Sequence, residues 1–143
     1  MKYILLFLIA TNVQAYTLVG FETDYCTAFK EGTKENPKAW QDCCLEHDLY
    51  YWAGGTIEDR NRADHRLHNC VYNKGYPTYA IAIYEGVRLG HYSPIKSKFA
   101  WNYGWLGKKQ YLPLTEEERN VVEKTILKYN YPQNVIQYFL QHF

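Results

Sequence analysis

Cys43 and Cys44 stand side by side, and this pair constrains the fold more than any other feature of the chain. Neighbouring side chains on a helix point in different directions, and disulfide geometry is demanding, so the two do not bridge each other. Cys26 and Cys70 complete an even set. If all four are oxidised, Cys26 takes one of the adjacent pair and Cys70 the other, and the segment around residues 43–44 is held from two sides at once. Oxidation requires export. The chain opens "MKYILLFLIATNVQA", a lysine, an apolar run and a small-residue ending. That is the pattern of a secretory signal over residues 1–15, cut after Ala15. The run is too short to span a membrane. The remaining residues, 16–143, suit a single domain that is secreted or periplasmic.

Net charge is +1, which gives no electrostatic footprint for nucleic acid. Aromatic residues make up 17% of the chain, including 15 tyrosines. Such side chains suit a membrane–water interface, although packing is their commoner role. Trp101, Tyr103 and Trp105 are the candidates for lipid contact.

The reading is all-α, mainly helical. Residues 17–24 form a short, extended stretch, and residues 26–38 read as a polar loop with Gly32 and Pro37. Asn36-Pro37 looks like a cap followed by a first-turn proline, which predicts a helix over 37–52, stopped by Gly54-Gly55. Thr56, with Glu58 and Asp59 in the first turn, starts a second helix reaching about residue 73. So short a link makes the two antiparallel. Apolar spacing predicts a third helix over 78–89. Residues 90–109 are irregular and aromatic, and two further helices run over 115–129 and 132–143.

The first helix is chemically loaded. Cys43, His47 and Tyr51 follow i, i+4, i+8 on one face, and Cys44 shares a neighbouring face with Asp48. On the second helix Asp64, Leu67 and Cys70 form a slanted strip. If Cys43 bonds Cys70, the register follows. His47 lies about 6 Å forward of Cys43, and Asp64 about 9 Å back from Cys70. Their side chains then meet, Asp64 orients the imidazole, and one ring nitrogen stays free as a general base. Tyr51 is placed to donate to Asp64. If Cys26 bonds Cys44, the polar loop is drawn beside Asp48, and loop carbonyls plus one carboxylate suit a hard cation.

"CCLEHDLYY" resembles the active-site helix of secreted phospholipases A2, Cys-Cys-x-x-His-Asp-x-x-Tyr. "ADHRLHNC" resembles their second long helix, in which an Asp lies six residues before a Cys. The resemblance covers about residues 25–70. It implies disulfides Cys26–Cys44 and Cys43–Cys70, with His47 as base, Asp64 as its partner and Tyr51 as support. It implies Ca2+ held by Asp48 and by the carbonyls of Tyr25, Thr27 and Phe29. It further implies calcium-dependent hydrolysis of the sn-2 ester of glycerophospholipids by a monomer bound peripherally to a phospholipid membrane surface. Two departures stand out. The loop "YCTAFKEG" carries one late glycine where the family's loop is glycine-rich. "WAGGT" replaces the β-wing between the long helices, as in compact bacterial or fungal relatives.

Two other classes compete. Cys43, Cys44, His47 and Cys70 have zinc-ligand chemistry, although adjacent cysteines spread poorly around one ion. Alternatively, the chain is a catalytically weak or inactive phospholipase A2-like membrane-binding protein or toxin. Among the other histidines, His65 and His68 read as solvated helix positions and His142 as part of a fraying end. His91, in "GHYSP", reads as a structural hydrogen-bonding position.

Overall fold

The structure is a computed structural model that describes residues 15–95 and 97–143. The predicted signal over residues 1–15 lies outside the described residues except for Ala15. Among the described residues are β1 (Thr17–Leu18), α1 (Gln41–Ala53), α2 (Ile57–Asn73), α3 (Pro77–Gly90), β2 (Trp105–Leu106), α4 (Glu116–Ile126) and α5 (Gln133–His142). The fold is mainly helical, as the sequence pattern predicts.

Capping boxes set two of the five helix starts among the described residues. Thr56 and Thr115 each form a reciprocal capping box, with Asp59 and Glu118 respectively. Pro77 occupies the first turn of α3. α1 departs from expectation and begins at Gln41 rather than Pro37. Residues 30–40 are instead wound into turns by Trp40. Its ring nitrogen donates to Lys30 O at 2.6 Å, and its backbone nitrogen donates to Glu31 O at 2.9 Å. Gly32 permits this winding, because a Cβ there would stand 2.0 Å from Asn36 O. α4 ends at Ile126, three residues short of expectation.

α1 is the central element. From Cys43 to Ala53 every residue except Glu46 is buried. One core lies on each side of it: Leu45, Leu49, Trp52, Val122, Ile136 and Phe139 on one, and Trp40, Cys43, Leu67, Val71, Ala80 and Ile83 on the other. α2 buries Arg60, Ala63, Asp64, Leu67 and Val71, a stripe at helical spacing with a carboxylate in its middle.

Two of the three aromatic residues expected to meet lipid are buried. Trp101 is 4% and Trp105 5% exposed, and Tyr103 is half-buried. The last turn of a helix leaves its carbonyls without intrahelical partners, and this segment supplies them. Asn102 N donates to Tyr51 O at 2.8 Å and Gly104 N to Trp52 O at 3.1 Å. The indole of Trp105 donates to Ala53 O at 2.8 Å, and that of Trp101 to Gly55 O at 3.0 Å. β2 then pairs antiparallel with β1, Thr17 opposite Leu106. The aromatic richness is thus used to cap α1.

Both disulfides implied by the resemblance are present, Cys26–Cys44 and Cys43–Cys70, spanning 18 and 27 residues. Loops of that length contribute about 3 kcal/mol each in the chain-entropy model. They place the chain in an oxidising environment, and no described helix is long and apolar enough to cross a membrane. With no free cysteine among the described residues, there is no thiolate for the zinc alternative.

Glu46 carries a stability cost that pH exposes. Its Oε1 is buried without a partner. Burial pushes its carboxyl up to about 7, against the pull of Arg66 and His142. The folded state therefore holds a proton that the unfolded chain releases, and stability falls as pH rises from the ordinary 4.5 to about 7. In chelator, Glu46→Gln is expected to stabilise at pH 8 by on the order of 1 kcal/mol, allowing for partial exposure. At pH 4 it should change nothing. Thermal melts at the two pH values check this, and equal shifts at both would sink it.

Candidate active site

The Cys43–Cys70 bridge sets the antiparallel register of α1 and α2, and the predicted meeting follows one turn further on. His47 Nε2 lies 2.9 Å from Asp64 Oδ1, and Tyr51 Oη donates to the same oxygen at 2.7 Å. The imidazole is 8% exposed at its side chain and Asp64 is fully buried. Tyr51 also lies against the His47 ring, centroids 4.2 Å apart. With Nε2 turned to Asp64, Nδ1 of His47 remains uncommitted.

Burial alone pushes the Asp64 carboxyl up. The hydrogen bond and charge of His47, then Tyr51 and His91, outweigh it and hold Asp64 below the usual carboxylate range. Asp64 therefore stays an anion that accepts and orients. Tyr51, buried against that anion, is held well above the ordinary phenol value and stays a donor.

Asp48 is turned to the loop. Thr23 Oγ1 donates to Asp48 Oδ2 at 2.6 Å and accepts from Tyr25 N at 2.9 Å. Thr23, which sequence reasoning did not single out, thus ties the start of the loop to α1, and the Cys26–Cys44 bridge ties it again one residue beyond Tyr25. Asp48 is 5% exposed. Burial pushes its carboxyl up to about 8, opposed by Thr23 and reinforced by the charge of Asp24. A carboxylate that costs this much to ionise fits a cation, which would restore its charge. The surrounding donors are hard oxygens, and among the described residues no group of three or more His, Cys, Asp or Glu is placed to hold a metal ion. Any ion here therefore relies on loop carbonyls.

The loop carries a backbone cost. Tyr25 and Ala28 have φ of 59° and 56°, in the left-handed region that glycine enters freely. Tyr25 O accepts Thr27 N at 3.2 Å, and Cys26 O accepts Phe29 N at 2.8 Å. Each carbonyl keeps a second lone pair.

His47, Asp48, Tyr51, Tyr25, Thr27 and Phe29 all border one cavity of about 410 Å³. Leu67, Ile83, Val87, Ile95 and Phe99 make its other side apolar. An imidazole with an uncommitted ring nitrogen, a buried carboxylate and an apolar slot thus share one space. That arrangement can activate water toward an ester carrying a long chain. The structure adds two residues. His91 Nε2 lies 2.7 Å from Tyr51 Oη, the hydrogen bond expected for His91, and Arg88 Nη1 lies 3.5 Å from Asp64 Oδ2. Sequence reasoning did not single out Arg88, although it falls within the predicted third helix, and it placed His91 just beyond that helix. No family model, no curated protein and no solved structure matches the chain.

Proposed function

We propose that the chain is an exported phospholipase A2-type hydrolase that cleaves the sn-2 ester of glycerophospholipids with calcium. The observation that carries the reading is the buried His47–Asp64 pair, 2.9 Å apart, bordering the same cavity as Asp48. With Nε2–H given to Asp64, His47 accepts a proton from water at Nδ1 as the water oxygen attacks the ester carbonyl. Asp64 stabilises the imidazolium, and Tyr51 holds Asp64 in place. When the tetrahedral intermediate collapses, the same proton passes to the leaving glycerol oxygen. The products are a fatty acid and a lysophospholipid. Asp48 and the carbonyls of Tyr25, Thr27 and Phe29 would hold Ca2+, which supplies Lewis-acid polarisation of the carbonyl and a counter-charge for the phosphate. The apolar side of the cavity suits an acyl chain. Leu89, Tyr92 and Ile95, 69%, 82% and 83% exposed, replace the buried tryptophans as candidates for membrane contact.

The left-handed Tyr25 and Ala28 favour a second reading, a phospholipid-binding protein with weak catalysis, because a strained loop holds calcium poorly. The test is fatty-acid release from mixed phospholipid vesicles by the chain lacking residues 1–15, in calcium and in chelator. Calcium-dependent release of the sn-2 acyl group is the expected result. Vesicle binding without release would favour the second reading.

A further inference from the structure

Asp64 has a third source of support, on a helix outside the stretch that carries the resemblance. Its Oδ1 takes both His47 and Tyr51. Its Oδ2 is buried and has no hydrogen bond. Two basic groups from α3 and its cap approach that oxygen: Arg88 Nη1 at 3.5 Å and His91 Nε2 at 3.6 Å. Arg88 is held in turn by Asn61, its Nη1 donating to Asn61 Oδ1 at 2.6 Å. α2 therefore supplies both the carboxylate and the group that steadies its counter-ion.

The second link is a matter of proton counting. Tyr51 Oη lies 2.7 Å from Asp64 Oδ1 and 2.7 Å from His91 Nε2, and a phenol has one proton. An ionised carboxylate only accepts. If His91 carries its proton on Nε2, it donates to Tyr51 Oη, and the Tyr51 proton goes to Asp64. If His91 carries it on Nδ1, Nε2 becomes a competing acceptor, and Asp64 Oδ1 loses Tyr51. The imidazole of His91 thus decides where the Tyr51 hydroxyl points.

We propose that Arg88 and His91 are positioning residues for the His47–Asp64 pair. Arg88 supplies the fixed positive charge behind Asp64 Oδ2, and His91, as the Nε2–H tautomer, aims the Tyr51 hydroxyl at Asp64. The proposal rests on His47 being the base of the reaction above. Arg88 is not part of the cavity wall, so its effect falls on the chemical step rather than on substrate binding.

The experiment compares four variants in vesicle hydrolysis, and the wild type with a fifth, Tyr51→Phe, in nitrogen-15 NMR of the histidine rings. Arg88→Met should lower kcat roughly tenfold with KM within about twofold, the size of effect that supporting-shell residues have elsewhere. Arg88→Lys, which keeps the charge, should recover most of that loss. His91→Phe keeps ring volume but removes the donor, and should lower kcat by a similar factor. His91→Gln keeps an N–H donor and should retain more activity than His91→Phe. Melting curves record folding of each variant. In the wild type, the His91 signal should show a protonated, hydrogen-bonded Nε2, and Tyr51→Phe should shift it. That readout needs no activity. If the wild type releases no fatty acid, the proposed reaction fails while the ring signals still decide this proposal. An unprotonated Nε2 on His91 would overturn it. So would wild-type kcat in both Arg88→Met and His91→Phe, or a loss confined to KM.

Discussion

Replacing His47 with glutamine is expected to lower calcium-dependent fatty-acid release by about 10⁴-fold, the upper end of what a positioned general base contributes. The loss corresponds to roughly 5 kcal/mol of transition-state stabilisation. An amide nitrogen can still donate to Asp64 across the 2.9 Å that separates the wild-type pair, so the buried carboxylate keeps a partner. Nothing in the amide can take a proton from water at neutral pH, so chemistry is lost while the fold is kept. The melting temperature should change little, and vesicle binding should survive, because the apolar side of the cavity is untouched. Initial rates on mixed phospholipid vesicles, with a melting curve for each protein, check both halves. Release by the variant within about tenfold of wild type would remove His47 from the role of base.

The parts of the fold written in local chemistry were legible in the sequence. The Thr56 and Thr115 capping boxes announce their helices, and the i, i+4, i+8 row of Cys43, His47 and Tyr51 puts three groups on one face. The six-residue interval between Asp64 and Cys70 then brings Asp64 to that face, once the Cys43–Cys70 bridge sets the register. What the sequence concealed depends on contacts between distant segments. The start of α1 yields to Trp40, whose hydrogen bonds reach back to residues 30 and 31. Trp101 and Trp105 look like surface aromatics until the carbonyls of residues 53 and 55 claim their indoles, 52 and 46 positions away in the chain. Periodicity marks a buried face on α3, with Ala80 and Ile83 its buried residues. It does not say that the same helix ends beside Asp64. Thr23 is a lone polar residue in a short extended stretch, and its bond to Asp48 spans 25 residues.

Asp48→Asn is expected to separate the cost of the proposed cation site from its use. In chelator the wild type keeps a carboxylate 5% exposed, and burial has raised its affinity for a proton to a value of about 8. An acid raised in this way leaves the folded state holding a proton that the unfolded chain has lost, so the apo protein weakens as pH climbs from the ordinary 3.8 to about 8. Asparagine has no charge to bury and keeps an oxygen for the Thr23 hydroxyl. The variant should therefore melt at or above the wild type in chelator, with the gap widest near pH 8 and absent near pH 3. Calcium reverses the order. At about a hundred times its dissociation constant a bound ion adds roughly 2.7 kcal/mol to the wild type, about 10 °C for a domain of this size. The variant has no carboxylate to hold the ion and should show no such rise. Hydrolysis should fall about 10³-fold, because Lewis-acid polarisation of the ester is worth several kcal/mol. Melting curves in calcium and in chelator at three pH values, beside initial rates, read all of this from one pair of proteins. A variant that still gains stability and activity from calcium would place the ion away from Asp48. A wild type that gains neither would mean that the strained loop at Tyr25 and Ala28 has cost the site its calcium, and the binding reading would replace the hydrolase.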